Sequence, residues 1–123
     1  MAGIERIPSD LPFPFSKAVK AGGFLYLSGQ IPLRADGKPL QGGIEAQARN
    51  VLDRIGATLA ELGSGLEDVV RVTVWLSDLA LFASFNDVYR SYFKAPHLPV
   101  RSTVQARLAF DVDVEIEVTA YKP

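Results

Sequence analysis

Cysteine is absent from this 123-residue chain, and histidine and tryptophan occur once each. Without cysteine there is no disulfide, no thiolate nucleophile and no thiolate metal site. With His97 as the one histidine, histidine-based metal binding is excluded within one subunit. A serine–histidine–aspartate triad would have to be centred on that residue. Long apolar runs are missing too, so no segment reads as membrane-spanning, and the opening MAGIERIPSDLPF lacks the apolar stretch of a secretory leader. A cytoplasmic protein is therefore expected. Basic runs are also missing: 13 Lys+Arg stand against 14 Asp+Glu, for a formal net charge of −1, which argues against a nucleic-acid partner. Neither GxGxxG nor GxxxxGK[ST] occurs, so no nucleotide-binding loop is expected.

What is present is an ordinary globular composition, 48% hydrophobic and 22% charged, enough for one domain, residues 1–123, to bury a core. Residues 5–18 are broken by Pro8, Pro12 and Pro14 and read as an extended, irregular opening segment with a possible strand. A Gly22-Gly23 turn leads into a strand at Phe24–Leu27, which breaks at Ser28-Gly29; Asp36-Gly37 marks another turn. Ile44, Ala48, Val51, Leu52, Ile55, Leu59 and Leu62 recur at helical spacing, with Gly63 as the stop. In VVRVTVWLSD, Val70, Val72, Val74 and Leu76 alternate as a strand, and Asp78 caps a second helix whose buried side is Leu81, Phe82, Phe85, Val88, Tyr89 and Tyr92. Pro96 and Pro99 bracket a loop, and strands close the chain at about 101–107 and 112–121. The pattern implies an α+β layer fold, two helices on one face of a sheet. In the last strand Val114, Ile116 and Val118 point one way and Glu115, Glu117 and Tyr121 the other, so the second face is solvated or packed on another subunit.

Two charges at the end of the chain invite a chemical explanation. Arg101, in PVRSTV, shares a strand face with Thr103, Gln105 and Arg107. If the last two strands pair as a hairpin, Arg101 or Arg107 lies near Glu115 or Glu117. The commonplace explanation is a cross-strand charge pair, worth about 0.2–1 kcal/mol. The other is a site: a planar guanidinium matches a carboxylate in two parallel hydrogen bonds, and Glu115 beside it could hold a water for hydrolysis. Spacing leaves both open. His97, between Pro96 and Leu98, reads as a solvated loop residue, and Ser28-Gly29 as a strand end where backbone could approach a ligand closely.

The blocks AGGFLYLSGQIPL, GGIEAQARNVLDRIGATLAELGSGLEDVVRVTVWLSDLALFASFNDVY, PVRSTV and ARLAFDVDVEIEV, in this order from about Phe13 to Ala120, resemble the reactive intermediate deaminase family, the RidA or YjgF-like proteins of the endoribonuclease L-PSP superfamily. The resemblance implies a chorismate-mutase-like α+β fold, a mixed sheet with two helices on one face, assembled as a homotrimer with ligand sites between subunits. It implies hydrolysis of reactive enamines and imines to 2-keto acids and ammonia, as a 2-iminobutanoate/2-iminopropanoate-type deaminase without metal or cofactor. Arg101 is similar to the family's carboxylate-binding arginine and Glu115 to the acid that positions water; Ser28, Gly29 and Asn86 match cleft residues. Two residues depart from the pattern: Phe15 stands where a tyrosine is common and Thr103 where a cysteine is common. Phe15 removes a hydroxyl from the cleft, while Thr103 can still offer its backbone N–H. Phe15 favours a second possibility, a regulatory trimer that binds keto acids or amino acids without turnover. The charge balance counts against a third, a ribonuclease, and a chaperone-like role leaves no trace in the residues.

Overall fold

The computed structural model describes residues 3–123. Six strands form one sheet: β1 (Glu5–Pro8), β2 (Ser16–Ala21), β3 (Phe24–Leu27), β4 (Val69–Leu76), β5 (Val100–Gln105) and β6 (Val114–Tyr121), in the order β1-β2-β3-β6-β4-β5. Helices α1 (Ile44–Glu61) and α2 (Phe82–Tyr89) bury their apolar sides against one sheet face. The α1 stripe is buried as its spacing requires: Val51, Leu52, Ile55 and Leu59 are fully inaccessible. The helix stops at Gly63, whose φ of 77° lets Gly63 N–H reach the Ala60 carbonyl (3.1 Å) and Ser64 N–H the Leu59 carbonyl (2.9 Å). Ahead of α2, the Asp78 carboxylate accepts from Ala80 N–H at 2.8 Å and caps a short helical turn that runs into the helix.

Two expectations are corrected, and the possible opening strand is present. The last two strands are not a hairpin. β5 pairs in parallel with β4, Arg101 opposite Val72, and β4 itself separates β5 from β6. The α2 crossover carries the chain back to begin β5 beside β4 in the same direction, which a tight turn cannot do. Val70 does not face the core; it is 43% exposed while Val69 is buried, because a bulge between Val69 and Arg71 shifts the alternation by one residue. Residues 5–18 hold β1 and the start of β2, paired antiparallel. Pro8 is tolerated because it ends an edge strand, at the point where the register shifts.

One buried polar network ties α1 to the sheet. Gln47, 1% exposed, accepts from Asp113 N–H at 2.8 Å and donates to the Gly42 carbonyl at 2.9 Å and to Asp113 Oδ2 at 3.3 Å. Ser77 Oγ donates to Asp113 Oδ1 at 2.6 Å. Gln47→Leu fits the space but removes the partner of the half-buried Asp113 N–H and of the Gly42 carbonyl, so it is expected to cost about 0.5–1.5 kcal/mol in urea unfolding. A loss below about 0.5 kcal/mol, the range of ordinary surface substitutions, would show the network to be dispensable.

Candidate functional site

β5 and β6 set the two charges apart. Residues paired across a ladder point to the same face. Arg101 pairs with Val72, Thr103 with Val74 and Gln105 with Leu76, so these side chains point to the helix side. Glu115 pairs with Trp75 and Glu117 with Thr73, on the opposite face. Within one chain, therefore, Arg101 and Glu115 lie on opposite faces of the sheet, and the expected cross-strand pair does not form.

Arg101 sits under α2. Its guanidinium carbon is 4.6 Å from the centre of the Tyr89 ring, 5.4 Å from Phe82 and 5.5 Å from Phe85. Nη2 donates to Asn86 Oδ1 at 2.7 Å and Nε to Thr103 Oγ1 at 3.0 Å. Three of the site residues expected from sequence, Asn86, Arg101 and Thr103, are thus brought into one cluster. Arg101 takes part in none of the ion pairs among the described residues. A guanidinium carries about five N–H donors, so most of its fork remains free for a planar anion. The helix periodicity placed Phe82 on the buried side; it is 43% exposed and flanks the guanidinium. The Tyr89 hydroxyl is buried without a hydrogen-bond partner. Burial raises its pKa, and the positive charge of Arg101 partly offsets that rise.

Glu115 belongs to a second cluster, at the end of the sheet where β3 gives way to a loop. Leu27, Ser28 and Gly29 oppose only Glu117 and Val118 between the pairs Tyr26–Thr119 and Gln30–Ile116, which is a bulge beside the candidate carboxylate. Ser28 Oγ donates to the Ser16 carbonyl at 2.5 Å and Ser28 N–H to the Lys17 carbonyl at 3.1 Å, fixing the bend. Gly29 leaves room for the Glu115 carboxylate: a Cβ there would meet it and push it from its present position. Burial, and then the like charge of Glu117, raise the Glu115 pKa above the usual carboxylate range.

Glu115, Gly29 and Phe15 line one cavity of about 580 Å³. Its walls also include Phe13, Phe110, Ile31, Leu33 and, from α1, Arg54, Thr58 and Glu61. Ser28 adjoins it; Arg101, Asn86 and Thr103 do not line it. No motif in the sequence marks Phe13 or Phe110 as a cavity residue. Phe13 lies among prolines that hid the turn, and Phe110 takes its position from a backbone φ of 60° that no sequence pattern signals. His97 is exposed in its loop, as expected. Among the described residues no group of three or more His, Cys, Asp or Glu is placed to hold a metal ion, and no helix is long and apolar enough to cross a membrane.

Residues 9–122 match the family described as Endoribonuclease L-PSP. This chain belongs to that family. Relatives within it include the mitochondrial protein MMF1 of Saccharomyces cerevisiae, 46% identical over 107 residues, which are 86% of this chain and 73% of that protein. A RutC family protein of Pyrococcus abyssi is 44% identical over 120 residues, 96% of this chain and 93% of that one. The crystal structure of yeast Mmf1 superposes with a TM-score of 0.88 at 40% identity, covering 98% of this chain and 100% of that one. RidA from an Antarctic Psychrobacter gives 0.85 at 36%, covering 94% of each chain. The L-PSP assignment thus rests on sequence and on the mixed six-stranded sheet with its two helices alike.

Proposed function

We propose that this chain is an imine/enamine deaminase, a hydrolase acting on C–N bonds, that releases a 2-keto acid and ammonia from 2-imino acids such as 2-iminobutanoate and 2-iminopropanoate. The observation that carries the proposal is the state of Arg101: a guanidinium walled by three aromatic rings, held by Asn86 and Thr103, with no carboxylate partner among the described residues. Such a fork is built to receive a carboxylate from outside the chain. The Glu115 cavity supplies the complementary half, a carboxylate with raised proton affinity beside the unobstructed backbone of Gly29.

Because the two halves lie on opposite faces of one sheet, a working site needs Arg101, Thr103 and Asn86 from one subunit and Phe15, Ser28, Gly29 and Glu115 from another. A cyclic homotrimer of chorismate-mutase-like arrangement meets that need. The face free of helices supports such packing: Phe24, Tyr26 and Tyr121 form an exposed aromatic cluster on it, with Phe24 and Tyr121 ring centres 4.9 Å apart.

In the proposed reaction Arg101 holds the substrate carboxylate and fixes the C=N carbon beside a water on Glu115. Glu115 takes a proton from that water as its oxygen bonds to the carbon, the C=N π pair becomes a nitrogen lone pair, and the protonated Glu115 returns that proton to the nitrogen to give the neutral carbinolamine. Glu115 then takes the hydroxyl proton as the carbonyl forms and passes it to the nitrogen as the C–N bond breaks, so ammonia leaves and the carboxylate is regenerated. The balance of acidic and basic residues gives an RNA-directed activity no electrostatic support.

The test is diversion of a short-lived imine. A pyridoxal-phosphate dehydratase acting on threonine or serine generates it, and semicarbazide competes for it. The native protein is expected to raise keto-acid yield and lower semicarbazone yield. Binding of 2-ketobutyrate with no diversion would establish instead the regulatory trimer that Phe15, with no hydroxyl in the cavity, also fits.

A further inference from the structure

On one subunit, before a second subunit closes the proposed site, the cavity beside Glu115 measures about 580 Å³, within the roughly 300–1,000 Å³ of pockets that take drug-sized ligands. Some of its polar groups are engaged within the chain. Arg54 Nη1 donates to the Ile31 carbonyl at 2.8 Å, and Lys17 Nζ is paired with Glu61 at 2.9 Å. Beside the remaining N–H groups of Arg54, what the cavity offers a ligand is an aromatic wall. Phe13 stacks on Phe15 with ring centres 6.2 Å apart and meets Phe110 at 6.4 Å, and these rings are 45%, 45% and 55% exposed. Phe110 and Asp111 hold φ values of 60° and 53°, a left-handed conformation that is costly for a bulky residue. Strain of this kind persists where surrounding structure enforces it, and it gathers at ligand sites. Here it places the Phe110 ring beside Phe13 instead of letting the loop relax.

We infer that the Phe13–Phe15–Phe110 wall selects imines carrying bulky apolar or aromatic side chains, of the kind derived from leucine or phenylalanine. The inference rests on the deaminase proposal and names its substrate class. With the carboxylate on Arg101 and the reacting carbon at Glu115, the side chain projects into the cavity and covers the exposed rings. Each further methylene buried in an apolar pocket changes kcat/KM by about 10–200-fold, so the preference over a methyl side chain is large.

The test generates imines in place with an L-amino-acid oxidase from alanine, leucine, phenylalanine and glutamate, under semicarbazide competition. The native protein is expected to favour the leucine- and phenylalanine-derived imines over the alanine-derived one by at least about tenfold, and Phe110→Ala and Phe13→Ala are each expected to reduce that ratio. Phe110→Leu, which keeps apolar bulk, is expected to retain more of it than Phe110→Ala. Equal or lower rates on the bulky imines overturn the inference and leave the deaminase proposal standing. So does a preference for the glutamate-derived imine, which would put Arg54 in control of the cavity. Turnover of none of the four overturns both. The native preferences decide the matter even if a variant fails to fold.

Discussion

Arg101→Ala is expected to abolish imine diversion nearly completely while the fold survives. The guanidinium makes two side-chain hydrogen bonds within the chain, to Asn86 and Thr103, and leaves the rest of its fork for the substrate. Two charge-assisted hydrogen bonds to a carboxylate are worth about 1.5–3 kcal/mol each. At 1.4 kcal/mol per factor of ten, their loss lowers kcat/KM by about 10²–10⁴. Arg101→Lys is not expected to rescue the rate, because an ammonium cannot present two parallel donors and fits the Phe82, Phe85 and Tyr89 rings less well. A lysine variant with near-native kcat/KM would mean that charge alone suffices and that the aromatic cage has no part in orienting it.

Glu115→Gln is the second large effect, and it separates activity from stability by sign. Loss of a proton acceptor at the water costs about 10²–10⁴ in rate. Stability moves the other way. The pKa of Glu115 is raised in the folded chain, by burial first and by Glu117 second, so the folded state holds the proton more tightly than the unfolded state does. The charged carboxylate therefore burdens the fold above its folded pKa, and the burden is gone below the unfolded pKa. Glu115→Gln should raise the urea midpoint at neutral pH, with the advantage fading as the native protein is acidified. A variant that is less stable at neutral pH would show that the carboxylate is stabilised by its surroundings, contrary to the desolvation account. The acid limb of the native pH–rate profile should lie above the usual carboxylate range for the same reason.

Local elements were legible in the sequence because their signals are local. The α1 stripe from Ile44 to Leu59, the Gly63 stop and the alternation of Val114, Ile116 and Val118 against Glu115 and Glu117 all appear where periodicity puts them. Strand partnership was not legible, because it is settled between distant segments. The sequence alone allowed β5 to fold back on β6, whereas it lies beside β4, with Val104 opposite Trp75. That error of partnership turned two opposite faces into one supposed charge pair. The bulge that exposes Val70 and the left-handed backbone that sets Phe110 were unreadable for a related reason: each is imposed by the surrounding fold on residues whose own preferences point elsewhere. Resemblance supplied the candidate residues; the structure assigned Asn86, Arg101 and Thr103 to one cluster and Phe15, Gly29 and Glu115 to another.

The most direct test of a site shared between subunits is to mix two inactive variants. Arg101→Ala and Glu115→Gln are unfolded together in equal amounts and refolded, and imine diversion is compared with each variant alone. In a cyclic trimer every mixed assembly holds one site with both groups intact, so random mixing restores about a quarter of native activity. No recovery from mixed trimers, with their formation verified by mass, would contradict the account and place Arg101 and Glu115 in separate functions.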